Sequence, residues 1–107
     1  MNGSELKNNF EEMLISKKYS DLKSLCLREI ENRGINSLLL RYLVLAELEQ
    51  KSIQGTLLYF NIYFSIEKND KQLNLKIIDL LGHAREYEKM TEYIELFQDS
   101  SYDFFNK

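Results

Sequence analysis

The side chains of this 107-residue chain that could do chemistry are few and lie far apart in the sequence. Cys26 is the only cysteine and His83 is the only histidine. A nucleophile needs a positioned base, and a metal ion needs three or four ligands. This cysteine and this histidine fall in different predicted helical hairpins. We therefore interpret both as structural residues, with Cys26 on the apolar face of its helix.

The carboxylates are grouped in a way that suits a helix surface better than a catalytic centre. Close pairs of this kind are usually solvated helix faces. The pairs are Glu11 with Glu12, Glu29 with Glu31, and Glu47 with Glu49. The glycines are scattered, so the sequence holds no glycine-rich phosphate-binding loop. We expect no catalytic residue, no metal site and no cofactor, and hence a protein that is not an enzyme.

The charge of the chain argues against several classes of partner. It holds 14 Lys and Arg against 17 Asp and Glu, and no basic run is longer than Lys17-Lys18. Nucleic-acid binding depends on clustered positive charge, so we expect no such partner. The first residues lack the apolar segment of a signal peptide, and the longest apolar run falls short of the roughly 20 residues of a membrane span. Because a lone cysteine suits a reducing compartment, we expect a cytoplasmic protein without membrane insertion.

Six segments have the spacing of apolar residues that is typical of amphipathic helices. Proline is absent and only four glycines occur, which favours long helices joined by short loops. The predicted helices cover about residues 4–16, 21–33, 36 or 37 to 50, 54–67, 71–84 and 86–98. Ser4 and Asp70 are predicted to cap the first and fifth helices, and Gly34 is predicted to end the second.

The helices repeat with a period of 34 residues. Tyr19, Ile53 and Tyr87 mark the short loops before the second, fourth and sixth helices at this spacing. Three further sets agree in character: Phe10, Val44 and Ile78; Leu25, Tyr59 and Tyr93; Cys26, Phe60 and Ile94. This period resembles that of the tetratricopeptide repeat, in which helical hairpins stack into a right-handed solenoid. The resemblance implies one all-α domain over residues 1–107, with hairpins at about 4–34, 37–68 and 71–99 and a short tail at 100–107.

Larger residues replace the small signature residues of that family. Where the family has a small residue in the first helix of each pair, this chain has Phe10, Val44 and Ile78. Where it has alanine in the second helix, the chain has Leu22, Thr56 and Met90, and its usual proline is replaced by Gly34, Lys68 and Tyr102. We therefore expect a looser repeat with larger core side chains.

The stretch SLLLRYLVLAEL, residues 37–48, is apolar nearly all round and needs cover on every side. The tetratricopeptide geometry implies that neighbouring helices cover one part of it, namely Leu39, Leu40, Leu43, Val44 and Ala46. It also implies that the first helix of each pair lines a concave groove. The candidate protein-binding residues of this groove are Leu14, Ile15, Leu38, Arg41, Leu45, Leu48 and Leu75.

An apolar groove of this kind is expected to hold an amphipathic helix or another subunit. Arg41 would orient an acidic residue of that partner. Two alternatives stay open at this point. In the first, Leu45 and Leu48 belong to the core of the monomer and not to a groove. In the second, Arg41 forms an intramolecular ion pair and does not contact a partner.

Residues 26–60, CLREIENRGINSLLLRYLVLAELEQKSIQGTLLYF, resemble the chaperones of needle subunits in bacterial type III secretion. The shared pattern is a Cys-bearing helix, a Gly-marked turn, and a Leu-rich helix that contains Arg. The resemblance implies a virulence-associated chaperone that holds the amphipathic C-terminal helix of a needle subunit in its groove. The subunit would thereby be kept from polymerising, in a heterodimer joined by a small co-chaperone that covers the N-terminal helices.

Two other functions fit the same sequence. One is a self-associating structural protein that uses the exposed leucines in a homodimer, and the other is an adaptor that binds a peptide tail. The last residues include three aromatics, Tyr102, Phe104 and Phe105. They are predicted either to cap the last hairpin or to contact a partner directly.

Overall fold

The computed structural model describes residues 3–100, which form six α-helices and no strand. The helices are α1 (Gly3–Ile15), α2 (Tyr19–Arg33), α3 (Ser37–Glu49), α4 (Ile53–Ile66), α5 (Lys71–His83) and α6 (Tyr87–Ser100). The packing of neighbouring helices fits an arrangement of helical hairpins, so the all-α prediction is confirmed. The aromatic tail lies outside the described residues. Within them, no helix has the length and apolar character needed to cross a membrane.

The backbone reproduces the 34-residue period. Helices α1, α3 and α5 begin at residues 3, 37 and 71, and α2, α4 and α6 begin at residues 19, 53 and 87. The turn inside each hairpin contains one residue with positive φ: Lys17 at 60°, Lys51 at 57° and Arg85 at 60°. The amide of each donates to the carbonyl three residues earlier, at 3.1, 3.0 and 3.1 Å respectively. The same turn therefore closes all three hairpins.

Side-chain caps begin three of the helices. The side chains of Asn36, Ser52 and Asp70 accept hydrogen bonds from the amides of Leu39, Gly55 and Leu73 at 3.0, 3.2 and 3.1 Å. Gly34, at φ 88°, ends α2 as predicted and donates its amide to the Ile30 carbonyl at 2.8 Å. The prediction that Ser4 caps α1 is wrong, because α1 already includes Gly3 and Ser4 lies inside its first turn.

Helix α3 lies at the centre of the core and packs against both α2 and α4. The five residues predicted to be covered are at most 1% exposed, namely Leu39, Leu40, Leu43, Val44 and Ala46. Large side chains occupy the positions where the repeat family has small ones: Phe10, Leu22 and Thr56 are completely buried, while Ile78 and Met90 are partly buried. The expectation of larger core side chains is confirmed.

An aromatic cluster joins α4 to α6. The ring centroid of Phe60 lies 5.8 Å from that of Phe97 and 5.9 Å from that of Tyr93, both edge to face. The rings of Phe64 and Phe97 are 5.6 Å apart. The hydroxyl of Tyr93 also donates to the Asn61 side chain at 2.6 Å. Aromatic pairs of this geometry add to the stabilisation from burial alone, so these rings help to hold the third hairpin against the second.

Candidate functional site

An open groove lies between α3 and α5, the first helices of the second and third hairpins. Its volume is about 370 Å³. Three leucines give it an apolar lining, namely Leu45, Leu48 and Leu80. Five polar or charged residues share the lining, namely Glu49, Lys51, Lys76, Asp79 and His83. These residues run from the middle of the two helices to their C-terminal ends and into the turn after α3, so the groove lies toward that end of the helix pair.

Both interpretations of Leu45 and Leu48 describe part of their surroundings. Each side chain is partly buried and packs against the core, and each also lines the groove. A residue in that position stabilises the monomer and still presents apolar surface to a ligand. Substituting either leucine therefore changes the core and the groove together.

The other predicted groove residues are placed elsewhere. Leu14 and Leu38 are partly buried and pack against the core without lining this groove. Ile15 is the last residue of α1 and is 80% exposed, while Leu75 is 54% exposed on α5. Of the seven predicted residues, the structure thus brings only Leu45 and Leu48 into the groove between α3 and α5.

Arg41 closes the other end of the α3–α5 pair. Its Nε donates to Asp70 Oδ2 at 2.8 Å, and its Nη2 donates to Gln72 Oε1 at 3.1 Å. Asp70 Oδ2 also accepts from the Tyr63 hydroxyl at 2.6 Å. Arg41 is therefore in the intramolecular ion pair that the sequence left open, and the groove begins beyond it.

The Asp70 carboxylate is the centre of this network. Burial by itself would raise its pKa, but the hydrogen bonds from Tyr63, Arg41 and the Leu73 amide outweigh burial and lower the pKa below its usual value. The same carboxylate caps α5. Burial, and then the hydrogen bond to Asp70, raise the pKa of Tyr63, so its hydroxyl stays protonated at neutral pH.

The groove exists because equivalent positions in successive hairpins carry different side chains. Between α1 and α3, Tyr42 is 1% exposed, its ring lies 4.9 Å from that of Phe10, and its hydroxyl donates to the Glu11 carboxylate. The residue 34 positions after Tyr42 is Lys76, which is exposed. The residue 34 positions after Glu11 is Leu45. A buried aromatic ring thus fills the α1–α3 contact, whereas at the α3–α5 contact a lysine leaves Leu45 accessible.

Leu80 and Lys76 are groove residues that sequence reasoning missed. The repeat contains the signal that would have found them, because they are equivalent to Ala46 and Tyr42, and Tyr42 meets α1. The same side of α5 must then face α3. If the residues of α3 that face the preceding hairpin are shifted by 34 positions, they fall on Lys76 and Leu80. The residues of the concave surface alone do not include these two.

The charged residues of the groove carry both signs. Glu49 and Asp79 are acidic, while Lys51 and Lys76 are basic. The Glu49 carboxylate also accepts from the Tyr19 hydroxyl at 3.5 Å, which connects the start of α2 to the end of α3. The Nδ1 atom of His83 lies 2.7 Å from the Asp79 carbonyl oxygen. The groove thus combines three leucines with charged residues of both signs.

The two residues first considered for chemistry lie apart. His83 is exposed in the lining of the groove, whereas Cys26 is completely buried in the core. Burial, and then the charge of Glu29, raise the pKa of the Cys26 thiol to about 12, so the thiol stays protonated at neutral pH. Within residues 3–100, no three His, Cys, Asp or Glu side chains are grouped so that they could hold a metal ion.

Comparisons with protein-family models, with curated proteins and with solved structures give no match to this chain.

Proposed function

We propose that this protein binds an amphipathic helix of a partner protein in the groove between α3 and α5. The observation that carries the proposal is the exposed Lys76 at the position where Tyr42 fills the preceding contact. Because of this difference Leu45, Leu48 and Leu80 keep accessible apolar surface. A helix with apolar residues at spacings of three and four would cover these leucines and remove that surface from water.

The charges of the groove select the kind of helix that fits. Acidic residues beside its apolar stripe would face Lys51 and Lys76, and basic residues would face Glu49 and Asp79. Exposed pairs of this type contribute mainly to orientation and to the rate of association, while the buried leucines supply most of the affinity. The expected partner therefore has an apolar stripe flanked by charges of both signs.

The likeness of residues 26–60 to the chaperones of needle subunits supports a more specific client. In this proposal the groove holds the C-terminal helix of a small subunit that otherwise polymerises. Covering the apolar face of that helix prevents polymerisation until the subunit is exported. A small co-chaperone would complete the complex by covering α1 and α2.

The experiment is co-expression of the chain with the small proteins encoded by neighbouring genes, followed by measurement of molar mass in solution. The informative variant is Lys76→Tyr, which copies Tyr42 and fills the groove without altering a buried residue. Lys89→Tyr is the matched control, since Lys89 is exposed on α6 and does not line this groove.

We expect a stable complex with the wild-type chain and with the control, and no complex with Lys76→Tyr at unchanged helical content. The proposal is wrong if Lys76→Tyr still binds the client as tightly as the control does. It is also wrong if none of the neighbouring proteins forms a complex with the folded wild-type chain.

A further inference from the structure

Specific contacts hold the third hairpin, α5 and α6, to the second near one of its two ends. We call this the junction end, because it contains the segment 67–70 that connects α4 to α5. The Asp70 carboxylate there accepts hydrogen bonds from α3 and from α4. The rings of Phe64 and Phe97 also meet toward this end, at 5.6 Å. Tyr93 contacts α4 nearer the middle of the helices.

The opposite end of the third hairpin has a cleft in each of the two helix layers. We call it the turn end, because it contains the turn between α5 and α6. In the layer of the first helices, the groove between α3 and α5 lies toward this end. In the layer of the second helices, a cleft of about 280 Å³ lies between α4 and α6, and its lining includes Gln54, Leu57, Lys89 and Glu92. The turn end of the hairpin therefore has space on both layers in which to move.

The first hairpin is held differently against the same central pair. The buried ring of Tyr42 fills the contact between α1 and α3 and packs on Phe10. Its equivalent at the α3–α5 contact is the exposed Lys76. The contact that fixes the first hairpin along the middle of its helices is thus missing from the third.

An unusual buried residue fastens the junction to the third hairpin. Asn74 of α5 is completely buried, whereas the equivalent positions of α1 and α3 hold the buried leucines Leu6 and Leu40. The Nδ2 atom of Asn74 donates to the Lys68 carbonyl at 3.3 Å, and within residues 3–100 its Oδ1 atom has no hydrogen-bond partner. A half-satisfied buried amide costs stability that a leucine would not. Asn74 thus gives up apolar packing to hold the junction backbone against α5.

We propose that the third hairpin pivots about its junction end and that this motion sets the width of the groove. Helix α5 has 13 residues and is therefore about 20 Å long. A rotation of about 10° at the junction moves its last turn by roughly 3 Å. Leu80 and His83 lie in that turn, so the groove widens while the pair of Arg41 with Asp70 stays intact. Leu81 is completely buried in the same turn, so the narrow groove is the more stable state.

The use of this pivot rests on the proposed helix binding, but the motion itself does not. An open turn end admits a helix between α3 and α5. Closure then brings Leu80 toward Leu45 and Leu48 and covers the apolar side of the bound helix. Closure of one unit around a ligand, about a short connecting segment, is a common form of conformational change.

The test measures distances between pairs of spin labels by double electron–electron resonance on the chain alone. One pair spans the turn end, at Gln54→Cys and Glu88→Cys, and the control pair spans the junction end, at Ser65→Cys and Gln98→Cys. All four positions are exposed, and the native Cys26 is completely buried and stays unlabelled. We expect the distance distribution of the turn-end pair to be about two-fold broader than that of the control pair.

The internal repeat supplies a second control. Ser20→Cys with Gln54→Cys lies 34 residues before the turn-end pair and spans the first and second hairpins, where Tyr42 fills the contact. This pair should give a narrow distribution. Lys76→Tyr, which copies Tyr42 at the α3–α5 contact, should narrow the turn-end distribution to the same width at unchanged helical content.

The proposal is overturned if the turn-end distribution is as narrow as both controls, or if Lys76→Tyr leaves a broad distribution unchanged. Because no client is present, the result is separate from that of the co-expression experiment. A rigid chain that still forms the complex would refute the pivot and keep the helix binding. A chain with the expected widths that forms no complex would support the pivot and refute the helix binding.

Discussion

The hydroxyl of Tyr42 in α3 donates a hydrogen bond to the carboxylate of Glu11 in α1. The ring of Tyr42 packs on Phe10, which is also in α1. One residue of the central helix thus fills the contact with the first hairpin. Its equivalent in the next hairpin, Lys76, leaves the corresponding contact open. This difference between two equivalent positions produces the groove.

Removing the Tyr42 ring should destabilise the protein far more than removing its hydroxyl. Tyr42→Ala leaves a cavity in the core and should lower the free energy of unfolding by about 3–5 kcal/mol. Tyr42→Phe keeps the ring and removes one hydrogen bond to the exposed Glu11, at a cost of about 1 kcal/mol. Urea denaturation followed by circular dichroism measures both values. Equal losses in the two variants would contradict the packing role of the ring.

Asp70→Asn should separate the ion pair with Arg41 from the capping of α5. Asparagine is an equally good cap, so the amide of Leu73 keeps its acceptor while the charge is lost. The pair is partly exposed, and we expect a loss of about 1–2 kcal/mol in the free energy of unfolding at pH 7. Asp79→Asn, at an exposed position of α5, should change stability by less than about 0.5 kcal/mol.

The stabilising effect of Asp70 should depend on pH with a definite sign. Its pKa is lowered in the folded protein, so the unfolded chain takes up its proton first as the pH falls. The contribution is complete above the ordinary aspartate pKa of about 3.9 and disappears as the pH falls through the lower folded value. The difference in unfolding free energy between wild type and Asp70→Asn should therefore shrink below about pH 4. A difference that grew on acidification would contradict the role given to this carboxylate.

Local sequence signals predicted the fold well. Asp70 and Gly34 begin and end helices where their cap chemistry indicated, and of the two starts predicted for α3 it is Asn36 that caps the helix. Tyr19, Ile53 and Tyr87 keep the predicted spacing, but they are the first residues of three helices and not loop residues. These features depend on short-range geometry, which a sequence shows directly.

The groove could be predicted only in part, because its residues depend on contacts between hairpins. The sequence left open whether Arg41 meets a partner or forms an internal ion pair, and it is Asp70 and Gln72, about 30 residues later, that bind its guanidinium. Nothing in the sequence of α5 alone distinguishes Leu80 from the core leucines Leu73 and Leu81. Leu80 lines the groove because Lys76, one helical turn earlier in α5, has no aromatic ring to fill the space beside α3. No single helix contains that information.

Lys17→Gly should stabilise the protein, because Lys17 adopts a φ of 60° in the turn after α1. A side chain in this left-handed region costs roughly 1–2 kcal/mol, and glycine removes that cost while adding some entropy to the unfolded chain. We expect a net gain of about 0.5–1 kcal/mol in the free energy of unfolding. Lys18→Gly is the control, because Lys18 has a φ of −92° and should lose stability instead. Thermal melts of the two variants should shift in opposite directions.

Gly55→Ala should destabilise the protein, whereas Gly82→Ala should not. Glu47 is a buried carboxylate of α3 that pairs with Lys23, and a Cβ at position 55 would lie 1.6 Å from its Oε2 atom. The carboxylate must move away from that position, at a cost of about 1–3 kcal/mol in the free energy of unfolding. At Gly82 the nearest atom to an added Cβ is Met90 Sδ at 3.5 Å, an ordinary contact, so the better helix propensity of alanine should give a gain of about 0.5–1 kcal/mol.

The cause of the Gly55→Ala loss can be tested with Glu47→Ala. If the added methyl group acts by displacing the Glu47 carboxylate, it should cost much less in a chain that already lacks this carboxylate. The double variant should then be more stable than the sum of the two single losses predicts, by about 1 kcal/mol or more. Urea denaturation of the four chains measures this coupling, and strict additivity would mean that position 55 is sensitive for a reason other than its contact with Glu47.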